Sequence, residues 1–293
     1  MVAKKEILDK FLGLKVWGRE GSRAPNKPLL VLLALANIQN RKNRLLSFNE
    51  IEKPLSDLLT KYGVYKSPGP QYPFWRLQND GIWEVPNGEE LTRRKSSDDV
   101  PITILRKNDV LGGFTQEIYD YLKSNPEALH DSVYVLLNEH FPPSIHDDIA
   151  EEIGFSFDIN EKKKTRDPKF RERVLDAYGW SCAVCGFDLY LSGSSFGVEA
   201  AHIRWHGNGG PDIVRNGIAL CTLHHKAFDL GVFTISEDMN VLISEKLHGG
   251  EAQQLHFQQF HQKKLIKLPS KQSQQPAKEY LNWHYDQVFK KPA

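Results

Sequence analysis

Apolar side chains with helical spacing dominate the first part of the chain. Residues 27–40, KPLLVLLALANIQN, are apolar almost throughout, which predicts an apolar helix. Residues 47–62, SFNEIEKPLSDLLTKY, also follow a helical period. Ser47 and Glu50 have the spacing of a capping box, in which each side chain satisfies a backbone N–H of the first turn. We therefore predict that the second helix begins at Ser47.

Residues 72–85, YPFWRLQNDGIWEV, have a different pattern. Large apolar and polar side chains alternate on both sides of the Asn-Asp-Gly sequence at 79–81. Alternation with a period of two is typical of a strand, and Asp-Gly favours the tight turn between two strands. The segment is therefore predicted to form a β-hairpin.

Two more helical stretches complete the first half of the chain. They are TQEIYDYLKS at 115–124 and PEALHDSVYVLLNEHF at 126–141. A pair of prolines and a short helix ending near Gly154 follow. Helices and strands together predict one mixed α/β domain over residues 1–157.

A linker is predicted after this domain. In residues 158–170, DINEKKKTRDPKF, apolar residues disappear and lysines accumulate, which is typical of a solvated connection. A short helix, PKFRERVLDAYG at 168–179, then leads to the first cysteine pair. We therefore place a second domain at residues 158–293.

Composition restricts the class of protein. A length of 293 residues favours two domains. With 38 Lys and Arg against 37 Asp and Glu the net charge is +1, so any basic surface must be local. The N-terminus lacks the apolar core of a signal peptide, and no apolar run reaches membrane-spanning length. We therefore expect a cytoplasmic protein.

The cysteines indicate a metal site. All three lie in the second half of the chain, and their odd number argues against a disulfide framework. Cys182 and Cys185 form one pair with a two-residue spacing, and Cys221 and His224 form another. Three thiolates and one imidazole suit a closed tetrahedral structural zinc site. The alternative is that the two pairs are unrelated and simply buried.

Further histidines lie between and beside these pairs. His202 in AHI, Asn216 in RNGIAL and His225 in HHKAFD resemble the signature residues of the HNH nucleases. The resemblance implies a ββα-metal fold, in which two strands and a helix hold one catalytic divalent ion. A neutral imidazole can take a proton from water at physiological pH, so His202 is the expected general base. The resemblance implies that His225 binds the ion, such as magnesium or manganese, and that Asn216 braces the loop.

One departure from the HNH pattern concerns the second metal ligand. Many members carry an acidic or histidine ligand directly before the general base, whereas this chain has Ala201. Asp229 or Glu199 could supply the missing oxygen. We favour Asp229, because a residue four positions after His225 lies on the same face of a helix.

Two segments of the first half resemble the sulfur-binding domain of phosphorothioate-dependent, McrA-like restriction endonucleases. They are residues 22–35, SRAPNKPLLVLLAL, and residues 72–85. The resemblance implies that the rings of Tyr72 and Pro73 form an apolar cup for the sulfur atom and that Arg23 lies near the modified phosphate. Sulfur is larger and less hydrated than oxygen, so an apolar cup suits it better.

Two further positions depart from that family. Ser22 stands where related proteins can have histidine, and Asn26 departs from the common sequence APHKP. These departures concern the DNA sequence that surrounds the modified phosphate. They leave the expected sulfur-binding residues in place.

The sequence therefore predicts an α+β protein with an N-terminal mixed α/β sulfur-binding-type domain and a zinc-stabilised ββα-metal HNH domain. The expected function is modification-dependent restriction: recognition of phosphorothioated double-stranded DNA and hydrolysis of nearby phosphodiester bonds. One active site per chain favours a homodimer for cutting both strands. Two alternatives stay open. The first domain could read a methylated base, or the protein could be a zinc-stabilised DNA-binding protein without catalysis.

Overall fold

The structure, a computed structural model, describes residues 4–16, 18–19, 22–40, 42–63, 69–157 and 168–291. The chain separates into two compact units, Met1–Asn160 and Glu161–Ala293. The lysine-rich stretch that we interpret as a linker falls mostly outside the described residues, so the domain boundary at 157/158 stays a prediction. Among the described residues, no helix is both long and apolar enough to span a membrane.

The first unit is mainly helical. Its longest helices pack around a helix that is buried along almost its whole length, as the apolar run predicted. The α-helices are α1 (Lys4–Leu12), α2 (Asn26–Gln39), α3 (Phe48–Tyr62), α4 (Gln71–Arg76), α5 (Ile102–Lys107), α6 (Gln116–Ser124), α7 (Pro126–His140) and α8 (His146–Ile153). Helix α2 contacts α3, α4, α6, α7 and α8, so it forms the centre of the core.

Short strands complete the first unit. They are β1 (Gly18–Arg19), β2 (Ser22–Arg23), β3 (Leu45–Ser47), β4 (Trp83–Glu84) and β5 (Leu111–Phe114). β1 and β2 form an antiparallel pair, and β3, β5 and β4 form an antiparallel sheet in that order. Gly112 lies in the central strand, where a Cβ atom would come within 2.7 Å of the Phe74 ring. A glycine is therefore needed for the aromatic core to reach the sheet.

Local signals in the sequence set several helix ends. The Ser47 hydroxyl accepts a hydrogen bond from the Glu50 backbone N–H at 3.3 Å, which confirms that Ser47 caps α3. Gly154 follows α8 with a φ of 72°, the left-handed conformation that ends many helices. The predicted helices at 115–124 and 126–141 are present as α6 and α7.

The prediction of a β-hairpin at residues 72–85 is wrong. Helix α4 and a 3-10 helix over Leu77–Asp80 occupy most of the segment, and only β4 is extended. Pro70 and Pro73 lie at the start of α4, where a helix does not use backbone N–H groups. Gly81, with a φ of 69°, ends the 3-10 helix instead of forming a hairpin turn. β4 then pairs with the distant β5, so tertiary packing overrides the local alternation.

The second unit contains the ββα arrangement that the HNH resemblance implied. Helix α9 (Pro168–Ala177) packs against a two-stranded antiparallel sheet, and a helix follows the second strand directly. The remaining elements are β6 (Tyr190–Leu191), β7 (Ser194–Ser195), β8 (Val198–His202), β9 (Gly217–Cys221), α10 (Thr222–Asp229), β10 (Phe233–Ile235), β11 (Val241–Ile243), α11 (Glu251–His256) and α12 (Lys278–Gln287). The two-stranded sheet that packs against α9 consists of β8 and β9. The helix that follows β9 is α10.

A close contact fixes the sheet against α9. The register pairs His202 at the end of β8 with Gly217 at the start of β9. A Cβ atom at Gly217 would lie 2.4 Å from Val174 in α9, so only glycine lets the helix approach this closely. The contact places α9 beside the end of β8 that carries His202.

Candidate functional site

The three cysteines and His224 form one buried cluster, and their ligand atoms all lie within 4.8 Å of one another. Cys182 and Cys185 lie in a tight turn in which the Gly186 N–H donates to the Cys182 carbonyl at 2.9 Å. Cys221 ends β9, and His224 lies one turn into α10. The cluster therefore joins the turn, the strand and the helix.

The cluster fits a tetrahedral metal ion. His224 Nδ1 lies 3.1 Å from Cys221 Sγ and 3.6 Å from Cys182 Sγ, and Cys185 Sγ lies 3.9 Å from Cys221 Sγ. Zinc bonds of about 2.0–2.3 Å give a tetrahedron with edges of roughly 3.5–3.8 Å. The set of three sulfur atoms and one nitrogen is also the one that zinc prefers.

Contacts outside the cluster orient the histidine. His224 Nε2 donates a hydrogen bond to the His256 carbonyl at 2.8 Å, which leaves Nδ1 to face the thiols. The rings of Phe233, Phe257 and Phe260 surround the imidazole, with their centroids 5.5–5.9 Å away. Hydrogen bonds from Cys185 and Cys221 hold the pKa of the Cys182 thiol well below its usual range, and hydrogen bonds within the same cluster raise the pKa of the Cys221 thiol, so the first proton to leave the cluster comes from Cys182.

His202, Asn216 and His225 come from three consecutive parts of the fold. His202 ends β8, Asn216 immediately precedes β9, and His225 lies in α10. The imidazole of His202 is only 8 % exposed and stacks on the Phe170 ring, with centroids 4.0 Å apart and planes inclined by 15°. Its Nε2 atom lies 2.7 Å from Asp212 Oδ1.

Asn216 holds the ends of the loop between β8 and β9 together. Its side-chain oxygen accepts a hydrogen bond from the Arg204 N–H at 2.8 Å. Its amide nitrogen donates to the carbonyls of Arg204 and Pro211, both at 3.0 Å. The side chain is completely buried and shapes the loop without a polar atom left for chemistry.

His225 lies between two carboxylates. Nδ1 is 2.6 Å from Glu199 Oε2, and Nε2 is 3.2 Å from Asp229 Oδ2. Burial disfavours the charged imidazole, but the Asp229 and Glu199 carboxylates outweigh it and raise the pKa of His225 to about 10. The hydrogen bond from His225 in turn holds the pKa of Glu199 below its usual value.

Glu199 and Asp229 contact opposite ring nitrogens of His225, so a divalent ion bound by His225 would take only one of the two carboxylates as its neighbour. Oxygen and imidazole ligands suit magnesium, manganese and related ions. A metal ion bound to a ring nitrogen of His225 would displace the proton that this nitrogen donates to the carboxylate. The two carboxylates differ in access: the Glu199 side chain is 45 % exposed, whereas that of Asp229 is 1 % exposed. Glu199 is therefore the carboxylate of the two that solvent reaches. Ala201, directly before His202, is buried and has no oxygen ligand to offer.

The expected sulfur-binding residues lie in the first unit. Tyr72 is half-buried in α4, with the Arg76 guanidinium 4.9 Å and the Arg94 guanidinium 5.9 Å from its ring centroid. Arg94 also donates to the Tyr72 hydroxyl at 3.2 Å. Pro73, next along α4, is buried. Arg23 belongs to β2, and its side chain lies outside the described part of the chain.

Ion pairs organise the surface around Tyr72. Arg76 donates two hydrogen bonds of 2.6 Å to the Asp99 carboxylate, which hold the pKa of Asp99 below its usual value. The Arg93 guanidinium lies 5.4 Å from the Trp75 ring and pairs with Asp98. The ring of Tyr72 therefore lies beside two guanidinium groups, of which that of Arg76 is paired with the Asp99 carboxylate.

A buried carboxylate connects this helix to the start of the chain. Asp80, at the end of the 3-10 helix, accepts a hydrogen bond from the Lys15 backbone N–H at 2.7 Å and forms an ion pair with Lys27. Lys15 and Lys27 lie on either side of the β1–β2 pair that contains Arg23. The residues before β1 and after β2 are thus both bonded to Asp80, which lies shortly after α4, the helix that carries Tyr72.

Sequence reasoning missed Asp212 and Phe170, which both contact His202. No spacing rule connects them to His202, because Asp212 lies ten positions away in an irregular loop and Phe170 lies in α9. The Gly-Gly-Pro sequence before Asp212 was the available signal, since it marks a loop with a defined shape.

Two strands, a helix and three polar side chains at their junction define the class of the second unit, that of the HNH-type DNA endonucleases. The family model described as HNH endonuclease matches residues 182–236. The model described as ScoMcrA-like, DNA sulfur-binding domain matches residues 4–158, more than half of the chain. The protein therefore belongs to the ScoMcrA-like DNA sulfur-binding domain family and carries an HNH endonuclease domain.

Several solved structures are similar to parts of this chain at TM-scores below 0.5. The sulfur-binding domain of ScoMcrA complexed with phosphorothioated DNA is 26 % identical, with a TM-score of 0.46 over 50 % of this chain and 94 % of that one. The Type IV phosphorothioation-dependent restriction endonuclease ScoMcrA is 24 % identical, with a TM-score of 0.43 over 61 % of this chain and 34 % of that one. The modification-dependent TagI restriction endonuclease is 23 % identical, with a TM-score of 0.31 over 45 % of this chain and 40 % of that one. The chain thus spans about a third of the length of ScoMcrA. None of the curated proteins matches.

Proposed function

We propose that the protein is a modification-dependent restriction endonuclease that recognises phosphorothioated DNA through residues 1–157 and hydrolyses nearby phosphodiester bonds through residues 158–293. The observation that carries the proposal is the combination, in one chain, of a domain of the sulfur-binding family and an HNH endonuclease domain. A nuclease domain needs a targeting domain, because unselective cleavage would destroy cellular DNA.

Recognition of sulfur is assigned to Tyr72, Pro73 and Arg23. The half-buried ring of Tyr72 supplies the apolar contact, and Pro73, buried beside it in α4, has no backbone N–H. Such a cup accepts sulfur at little cost but removes water from a phosphate oxygen unfavourably. Arg23 supplies the charge and hydrogen bonds for the modified phosphate. The guanidinium groups beside Tyr72 support this assignment because they attract the DNA backbone.

Hydrolysis is assigned to His202, Asn216 and His225. His202 takes a proton from the attacking water, and Asn216 keeps the loop beside His202 in one shape. His225 holds the catalytic ion together with one carboxylate, which is Asp229 in our prediction. Glu199 is the alternative ligand, and its greater exposure supports that alternative. The ion, magnesium or manganese, supplies charge stabilisation for the scissile phosphate and the leaving 3′ oxygen.

The Cys182, Cys185, Cys221 and His224 cluster is assigned to a structural zinc ion. The arrangement has four protein ligands and a histidine oriented by a backbone carbonyl, which is typical of sites that stabilise a fold. We also propose that two copies of the chain act together on double-stranded DNA, because each copy has one active site for two strands. Light scattering with and without a phosphorothioated duplex tests the homodimer.

The experiment that tests recognition is a gel shift with the full chain, without added divalent ions, on two duplexes that differ only in one phosphorothioate. We expect at least tenfold tighter binding of the modified duplex, and Tyr72→Ala should abolish this preference. Tyr121→Ala is the matched control, since Tyr121 is a half-buried tyrosine on α6. A methylated duplex of the same sequence forms the third arm.

Equal binding of all duplexes across several core sequences would contradict the proposed recognition and leave an HNH endonuclease with another target. Preference for the methylated duplex would identify a base reader instead. The binding should be compared at a fixed moderate salt concentration, because phosphate contacts weaken steeply with salt.

A further inference from the structure

Asp212 lies in the loop between β8 and β9 and faces the proposed general base. Its Oδ1 atom is 2.7 Å from His202 Nε2, and its side chain is 35 % exposed while that of His202 is 8 % exposed. The carboxylate is therefore the partly solvated end of a pair whose imidazole is buried. We infer that Asp212 is a positioning residue that holds His202 in the tautomer and orientation needed for proton abstraction. This inference rests on the proposed role of His202.

The hydrogen bond determines which ring nitrogen is basic. An ionised carboxylate only accepts hydrogen bonds, so a neutral His202 imidazole carries its proton on Nε2 and has its basic lone pair on Nδ1. During hydrolysis Nδ1 takes a proton from water and the O–H electron pair stays on oxygen. This oxygen bonds to phosphorus while the P–O3′ bond breaks with its electron pair on O3′, which takes a proton from solvent. The imidazolium formed is stabilised by the Asp212 carboxylate.

The loop geometry fixes the position of Asp212 from several sides. Asn216 donates to the Pro211 carbonyl, directly before Asp212, at 3.0 Å. Arg173 in α9 donates to the Asp212 carbonyl at 3.0 Å. Gly210 passes so close to the Arg204 carbonyl that a Cβ atom would lie 1.8 Å from its oxygen. Asn216 therefore acts on His202 through the loop residue Asp212.

The stacking partner restrains the remaining freedom of the imidazole. The Phe170 ring lies nearly parallel to His202 at a centroid distance of 4.0 Å. A flat contact fixes the plane of the imidazole, whereas the Asp212 hydrogen bond fixes the rotation within that plane. Together they orient Nδ1 before the substrate binds, which lowers the entropic cost of the reaction.

The test is the Asp212→Asn substitution in the full, zinc-containing chain. An amide can donate to Nε2 and so favour the wrong tautomer. We expect the single-turnover cleavage rate with saturating magnesium to fall by roughly 10²- to 10³-fold, as for the loss of a general base. Affinity for the modified duplex and the melting temperature should be unchanged. Asp238→Asn is the matched control, because Asp238 is an exposed aspartate of the same domain.

A second comparison separates positioning from a merely structural effect. In a His202→Ala background, Asp212→Asn should change the residual rate by less than threefold, because the residue through which it acts is gone. Loss of folded protein would lower the rate in both backgrounds, whereas the inferred coupling appears in only one. An equal loss in both backgrounds, or a wild-type rate for the single variant, would overturn the role of Asp212. Normal cleavage by His202→Ala alone would overturn the proposed general base instead.

Discussion

At the residue scale, the same side chain has different charges in different surroundings. His225 lies between two carboxylates, which raise its pKa to about 10. His284 is completely buried in α12, stacks on Phe228 at 3.6 Å and has a pKa lowered to about 4 by burial. Its ring nitrogens bond to the Thr234 hydroxyl at 2.8 Å and the Phe228 carbonyl at 3.0 Å. His225 is thus suited to metal binding or proton exchange, and His284 to packing.

Burial of neutral His284 makes stability depend on pH. Its pKa is about 4 in the folded protein and 6.5 in the unfolded one. Below pH 6.5 the unfolded chain therefore binds a proton that the folded chain does not, and stability falls as the pH decreases towards 4. Between pH 7 and pH 5 this group should cost about 2 kcal/mol, at 1.36 kcal/mol per pH unit.

Urea unfolding of the wild type and of His284→Phe at both pH values measures this effect. His284→Phe loses two hydrogen bonds and should be less stable than the wild type at pH 7. The difference in the free energy of unfolding between the two proteins should be smaller by about 2 kcal/mol at pH 5. Other titrating groups, including the cysteine ligands, contribute equally to both proteins and cancel in the difference. A difference between the two proteins that is the same at both pH values would show that His284 is not the group responsible.

At the element scale, the second unit depends on connections between short pieces of structure. Strands β8 and β9 have five residues each and α10 has eight, so none of them is stable alone. The cysteine and histidine cluster joins the turn after α9, the end of β9 and the start of α10. A metal ion at this point would link these short elements in addition to the hydrophobic core that they share.

Removing one ligand of this cluster should therefore unfold the second unit. For Cys182→Ser and His224→Ala we expect loss of bound zinc and of the thermal transition of this unit, because a structural zinc contributes roughly 10–16 kcal/mol of binding free energy. His248→Ala is the matched control, since His248 is exposed in the same unit. Zinc content by mass spectrometry and calorimetry are the measurements. A folded, active Cys182→Ser protein without zinc would contradict the assignment.

The segment at 72–85 shows where element prediction failed. Its alternating pattern satisfied the rule for a strand, but the buried residues Phe74 and Leu77 also lie three apart, as on one face of a helix. Local spacing is compatible with a strand and with a helix. Pro73 favours the first turn of a helix, where a backbone N–H is not needed. The distant strand β5 decided the outcome by pairing with β4.

At the scale of the whole molecule, the proposed function assigns recognition and chemistry to different units. Each unit has its own core, and the two family models match separate stretches of the chain. A two-domain chain of this kind allows each activity to be lost without the other.

This separation predicts the behaviour of His202→Ala. Cleavage of phosphorothioated DNA should fall by roughly 10²- to 10⁴-fold, the usual contribution of a general base. The dissociation constant for the modified duplex should stay within twofold of the wild-type value, since the proposed sulfur-binding residues lie in the first unit. A gel shift and a plasmid cleavage assay on the same preparation measure both. A parallel loss of binding would contradict the division of roles.

The amino-acid sequence by itself determined what depends on local chemistry. The Ser47 cap, the apolar helix α2 and the spacing of the cysteine pairs are short-range features, so they could be recognised one by one. The ββα order was likewise predictable from a resemblance carried by His202, Asn216 and His225. These features need no knowledge of which distant segments meet.

The tertiary structure alone decided what depends on distant segments meeting. The contact of Asp212 with His202, the stacking of Phe170 and the second carboxylate on His225 arise from a loop, a helix and a strand that no period connects. The physical reason is that close approach at Gly217 and Gly210 fixes how these pieces pack, and packing has no one-dimensional signature. The sequence thus determined which chemical groups are available, and folding decided which of them act on one another.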